Sequence, residues 1–272
     1  MTVEIFISSF ALALGFLALL GWKWRIKFRI SIPGGIIIGG LTAFIASRID
    51  MAVGELHIAM LVLMELSLIL LITLLALIAR FYRDPERSPL ETENVILSPA
   101  DGRVIYANEV EKDSLLVSTK GKRQFKLDEI THTNFLTNVA YLVGIDMNIL
   151  NVHVNRSPIK GRIVFQKHIK GKFISLRRQE SETLNERVTT IIGNGKFSVA
   201  IIQIASRLVR RIVSYIKEED SLEIGQRIGA IVFGSQVDVA IPRLENLKIE
   251  VKTGDEVKAG ISVIARYGLQ KQ

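Results

Sequence analysis

Apolar residues fill the first 79 positions in three long blocks, and from Arg80 onward they shrink to short Val/Ile-rich runs separated by charges, Gly and Pro. A helix rises ~1.5 Å per residue, so about 20 apolar residues cross a hydrocarbon core of ~30 Å. Residues 3–22 meet that length with one charge, Glu4, at the start. They lack a basic leading region and a small-residue cleavage site, so they read as a retained span and not a removable signal. Residues 30–47 form a second candidate span, weakened by Pro33 and by Gly34, Gly35, Gly39 and Gly40, whose small size suits close helix approach. Residues 56–79 form the strongest span, with Glu65 near its middle. An intramembrane carboxylate is either functional, or simply protonated or paired with a neighbouring helix. The second reading is preferred, since nothing else here resembles a transporter.

Lys23, Arg25, Lys27 and Arg29 follow the first block, and Arg80, Arg83 and Arg87 follow the third, while residues 48–55 carry no positive excess. The positive-inside rule then predicts three spans, an outside N-terminus and a cytoplasmic C-terminal domain on a multi-pass cell-membrane protein. Trp22 and Trp24 stand where an interfacial aromatic belt would place them. A two-span alternative, with residues 30–47 lying in the interface, would move the N-terminus inside.

The remainder, residues 80–272, reads as one mainly β domain. Runs at 104–107, 114–118, 139–143, 162–165, 188–192, 198–204, 228–233 and 248–251 are rich in Val and Ile and are bounded by turn residues. No long amphipathic helical period competes with them. Val251-Lys-Thr-Gly-Asp-Glu-Val-Lys-Ala-Gly260 and the run 261–265 have the strand, glycine turn, strand punctuation of the hammerhead, barrel-sandwich folds of lipoyl and biotinyl carriers. A non-enzymatic membrane-anchored adaptor or carrier is therefore the alternative to an enzyme. The Met-Lys-Met tripeptide of a carrier is absent.

Composition narrows the chemistry. With no cysteine there is no disulfide, thiolate metal site or thiol nucleophile. No spacing of other ligands suggests a metal. A net charge of +8 suits nucleic acid or an anionic lipid surface. The apolar blocks select the lipid.

Four stretches carry candidate chemistry. Phe81-Tyr-Arg-Asp-Pro-Glu-Arg87 is a basic turn suited to head-group contact or to plain anchoring. Ser98-Pro-Ala-Asp-Gly-Arg-Val104 leads an Asp-Gly turn into a strand, and Asp101 alone would do no more than bond its own turn. Asn151-Val-His-Val-Asn-Arg-Ser-Pro158 sets His153 in a Val-rich strand. Paired with Asp101, His153 becomes a candidate base for activating a hydroxyl. In Gly225-Gln-Arg-Ile-Gly-Ala-Ile-Val-Phe-Gly-Ser-Gln-Val-Asp238 an apolar strand runs into Gly234-Ser235, which by spacing alone is equally a glycine bulge.

These stretches in this order, with Asn185-Glu-Arg187 and Gly171-Lys-Phe173, resemble the short, membrane-anchored form of the phosphatidylserine decarboxylase proenzyme across residues 81–265. The resemblance implies self-cleavage between Gly234 and Ser235, giving fragments 1–234 and 235–272 that stay associated, with Ser235 converted to a pyruvoyl cofactor. That group would form a Schiff base with the amine of a serine phospholipid and accept electrons as CO2 leaves. The lipid is phosphatidylserine or its ether-linked archaetidyl counterpart.

The resemblance further implies Ser235, His153 and Asp101 as catalytic residues. Longer relatives carry two histidines three residues apart, whereas here His153 is followed by Arg156. Either His153 does both tasks, or His168 or Arg156 takes the second. Arg156, His168, Asn185, Glu186 and Arg187 are candidate substrate or head-group contacts. Arg177, Arg178, Arg207, Arg210 and Arg211 suit either phosphate binding or an exposed basic face.

Overall fold

The computed structural model describes residues 2–24, 26–54, 57–110, 117–120, 123–126, 139–169, 186–205, 211–232 and 235–268. The chain divides into two compact units, 1–80 and 81–272.

The first unit is helical: α1 (Thr2–Lys23), α2 (Phe28–Val53) and α3 (Ile58–Phe81), whose last residue belongs to the second unit. Each helix is long and apolar enough to cross a membrane. Large apolar side chains such as Ile7, Leu19, Ile37, Phe44, Leu63 and Leu70 point outward, as a lipid-facing surface requires. Pro33 and the glycines do not break α2, which runs past the expected 30–47 at both ends. Pro33 lies in the second turn and removes one amide donor there. A Cβ on Gly39 would stand 3.1 Å from the Phe10 Cα, so this glycine lets α1 and α2 meet at backbone distance. Glu65 is fully buried, and the hydroxyls of Ser8 and Ser9 both donate to its Oε1 at 2.7 Å, so the intramembrane carboxyl is held by a neighbouring helix.

The second unit is mainly β, as the Val/Ile-rich runs predict. Its strands are β1 (Val95–Leu97), β2 (Gly102–Glu109), β3 (Val117–Lys120), β4 (Arg123–Lys126), β5 (Val139–Met147), β6 (Val154–Arg156), β7 (Gly161–Ile169) and β8 (Arg187–Gly193). There follow β9 (Ser198–Ile204), β10 (Arg211–Ser214), β11 (Ser221–Leu222), β12 (Arg227–Val232), β13 (Ser235–Pro242), β14 (Lys248–Ile249), β15 (Glu256–Val257) and β16 (Val263–Arg266).

An eight-stranded sheet in the order β11-β7-β8-β9-β13-β5-β2-β15 dominates the unit. Two three-stranded sheets accompany it, β10-β12-β6 and β1-β16-β14, with a separate β3-β4 hairpin. Both faces of the large sheet are apolar. Val143, Ile145, Ile201 and Val237 pack with Ile212, Ile228 and Ile231 on one side, and Leu142, Ile202, Ile204 and Ala240 cluster with Tyr106 on the other. Burial on two faces explains why β9 reads as a nearly continuous apolar run without alternation. The hammerhead-like stretch is present as β14, a turn with Gly254 at φ +103°, β15, a second turn and β16. Its strands are shared out: β15 joins β2, and β16 sits between β1 and β14.

Candidate active site

The link from β5 to β6, residues 148–153, joins the large sheet to the β10-β12-β6 sheet. Residue 235 opens β13 opposite Met147, the last residue of β5. On the other sheet β12 pairs with β6, Ala230 opposite Val154, and the Ile231 amide donates to the His153 carbonyl at 3.1 Å. The link from β12 to β13 contains the Gly234-Ser235 bond, and the link from β5 to β6 contains Asn151, Val152 and His153. Pairing at both ends brings Ile231 and residue 235, which flank that bond in sequence, to the two ends of the 148–153 link. Phe233, Gly234 and Asn185 lie outside the described residues, as do Arg177, Arg178, Arg207 and Arg210.

His153 is 3% exposed. Its Nδ1 stands 2.9 Å from the Asn151 carbonyl, which only accepts, so Nδ1 carries the proton and Nε2 the lone pair. That Nε2 is buried and has no hydrogen-bond partner among the described residues. Burial pushes the imidazole pKa down to about 4. The Asn151 carbonyl and the Asp101 charge oppose this, and Arg83 adds to it. The ring packs on Phe81 with centroids 4.1 Å apart. A neutral histidine with its basic nitrogen unpaired is poised to accept a proton.

Asp101 sits in the bend before β2, where Ser98 Oγ donates to the Ala100 carbonyl at 2.7 Å. A Cβ on the next residue, Gly102, would fall 2.3 Å from the Asp146 carbonyl, so the Asp-Gly pair is demanded by contact between β2 and β5. The buried carboxylate takes the two prongs of Arg87 at 2.5 and 3.0 Å and the Ala259 amide at 2.9 Å. It also takes the Val152 amide at 3.4 Å. No hydrogen bond joins Asp101 to His153, so their expected pairing is indirect. Asp101 holds the loop that carries the histidine, and its charge acts on the ring through space.

The 81–87 segment, expected to suit head-group contact or plain anchoring, is hydrogen-bonded to the residues around His153 and Asp101. Arg83 donates to the Leu150 carbonyl at 2.9 Å, and Arg87 holds Asp101 and the Ala259 carbonyl. Arg227 pairs with Asp84 and Glu86 at 2.5 and 2.6 Å. Arg156 is buried in the same network, donating to Asp84, Pro85 O and Gly225 O at 3.0 to 3.2 Å. These contacts fasten the segment to β6. The acids of Arg-Asp-Pro-Glu-Arg were the overlooked signal, since each balances an arginine.

His168 and Glu186 meet across β7 and the start of β8, Nε2 to Oε1 at 2.7 Å, and the same oxygen accepts the Ile212 amide at 3.2 Å. Ala205 bonds the Glu186 carbonyl, and Ile204 lies opposite both Arg187 and Gln236. One rung further along are Glu186, Ala205, residue 235 and Met147 on four successive strands. At ~4.8 Å per strand, Glu186 stands on the order of 10 Å from residue 235, at the same end of the sheet. Arg211 begins β10 and is exposed.

A family described as phosphatidylserine decarboxylase matches residues 74–265. This chain belongs to the phosphatidylserine decarboxylase family. A protein of Methanocaldococcus jannaschii named "Putative archaetidylserine decarboxylase proenzyme" is 42% identical over 193 residues, covering 71% of this chain and 91% of that one. One of the same name from Methanothermobacter thermautotrophicus is 36% identical, over 75% and 86% of the two chains. The "Phosphatidylserine decarboxylase proenzyme" of Syntrophus aciditrophicus is 36% identical, over 69% and 78%. As a phosphatidylserine decarboxylase proenzyme the chain is a self-processing enzyme, and its three apolar helices fit membrane anchoring.

Proposed function

We propose that this decarboxylase matures by cutting its own Gly234-Ser235 bond and then removes the carboxylate of a serine phospholipid head group. The Nε2 of His153, buried and without a partner among the described residues, on the link paired with the residues that flank that bond, is the observation that carries the reading. His153 takes the proton of the Ser235 hydroxyl as its oxygen attacks the Gly234 carbonyl; the Gly234-Ser235 amide breaks to leave an ester, elimination frees the Gly234 carboxylate, and hydrolysis of the remaining dehydroalanine releases ammonia. The Asn151 carbonyl fixes the tautomer this requires, and the dry setting keeps the imidazole neutral. The orphaned nitrogen beside position 235 fits a pyruvoyl group formed there. That group supplies the electron sink for loss of CO2.

The pieces 1–234 and 235–272 stay together because β13 pairs along its length with β5 on one side and β9 on the other. The basic clusters after α1 and α3 put the enzymatic unit on the cytoplasmic face. The names of the first two relatives favour ether-linked archaetidylserine, and the head group is common to both lipids.

Intact-mass measurement of the purified full-length protein tests the reading. Two chains are expected, the smaller beginning at a blocked residue 235, with Ser235→Ala remaining whole. A wild-type protein that stays in one piece overturns it. Vesicles of phosphatidylserine and archaetidylserine, compared for CO2 release, identify the lipid.

A further inference from the structure

Three contacts from the 81–87 segment converge on the loop that presents His153. Phe81 packs on the imidazole with centroids 4.1 Å apart. Arg83 holds the Leu150 carbonyl at 2.9 Å. Arg87 grips both oxygens of Asp101, and Asp101 reaches the amide of Val152, between the two residues that set the tautomer of the base.

We propose that this segment is a positioning arm for self-cleavage, and that Arg87 acts on His153 through Asp101 and the Val152 amide. The inference rests on cleavage at Gly234-Ser235. The direct carboxylate-imidazole bond is not made here, because Arg87 and two backbone amides occupy the Asp101 oxygens. Orientation reaches the ring through the main chain. The Asn151 carbonyl receives the Nδ1 proton, and the Asp101-to-Val152 contact places that carbonyl. Arg87 suits the task because its planar fork matches a carboxylate in two places at once, which an ammonium cannot do. Its Nη1 also donates to the Ala259 carbonyl at 2.9 Å, which fixes the plane of the fork against the C-terminal turn. With Arg87 and Asp101 each about nine-tenths buried, the pair is shielded from water and cannot easily swap partners.

The test follows cleavage of the full-length proenzyme after synthesis, on gels and by intact mass. Arg87→Ala is expected to slow cutting by about a hundredfold, the scale of misplacing a reacting group by ~1 Å. Arg87→Lys should recover only part of the rate, and millimolar guanidinium added to Arg87→Ala should restore it. In an Asp101→Asn background, Arg87→Ala should add little, because the two act in series. Thermal melting of Arg87→Ala built on uncut Ser235→Ala checks that the fold persists. Where Arg87→Ala does not fold, Arg87→Lys decides, slowed cutting supporting the proposal and wild-type cutting overturning it. Arg87→Ala cutting at the wild-type rate, or full additivity with Asp101→Asn, overturns it while leaving self-cleavage intact. A wild-type chain that never cuts defeats the underlying reading instead.

Discussion

The carbonyl of Asn151 and the Nδ1 of His153, two residues apart, stand 2.9 Å from each other, which commits the ring to one tautomer before any reaction begins. A carboxylate in that place would raise the basicity of the ring further, at the expense of another buried charge.

Self-cleavage should therefore tolerate acid. With the pKa of His153 held near 4, the basic form persists from neutrality down to about pH 5, and the rate should fall with unit slope only near pH 4. A rate profile measured on denatured proenzyme returned to native conditions checks this, and a limb near the ordinary 6.5 contradicts it. Stability has its own signature. The unfolded chain binds a proton near pH 6.5 that the native state refuses until about 4, so His153 costs stability as pH falls through that window. The loss is at most about 1.4 kcal/mol per pH unit.

Asp101→Asn strips the buried Arg87 of its counter-charge. In the uncut Ser235→Ala chain this should lower stability by about 3 kcal/mol, seen as a fall in melting temperature, since an unpaired buried cation remains. The same loss of charge at exposed Glu91, paired with Arg266, should leave the melting temperature nearly unchanged.

Gly102→Ala forces a methyl to within 2.3 Å of the Asp146 carbonyl, a backbone atom that cannot swing aside. The expected loss is about 2 kcal/mol, with slower cutting because the strain falls beside Asp101. Normal melting and cutting would show that β2 shifts freely.

His168→Ala separates maturation from turnover. The His168-Glu186 couple shares the sheet end with residue 235 but not the link that carries His153. The variant should cleave at close to the wild-type rate yet release CO2 at least about tenfold more slowly, the scale of losing a proton donor. Parallel loss of both steps would place the couple in folding instead.

The anchor and the mainly β character were legible because apolar runs of that length and Val/Ile runs of that size have few other uses. His153 and Asp101 were legible as types. Their relation was not, because whether a carboxylate 52 positions away reaches an imidazole or its loop depends on donors from a third segment. The partners of the 81–87 segment were not legible for a related reason. It forms no helix or strand beyond Phe81, so no period says where Arg83 and Arg87 point, and nothing local shows that Asp84 and Glu86 belong to Arg156 and Arg227. The meeting of His168 with Glu186 depends on the register of β7 against β8, which slips at a bulge between Ile163 and Phe165.

Because β13 is flanked by β5 from residue 235 and by β9 from Gln236, a cut at its start would make an end with nowhere to go. Under the proposed cleavage, hydrogen bonds on both flanks of β13 would hold that end in place, and a group formed at position 235 would keep the address of the serine. Assembly must therefore come before scission: a 235–272 peptide made separately would meet a sheet with its middle missing.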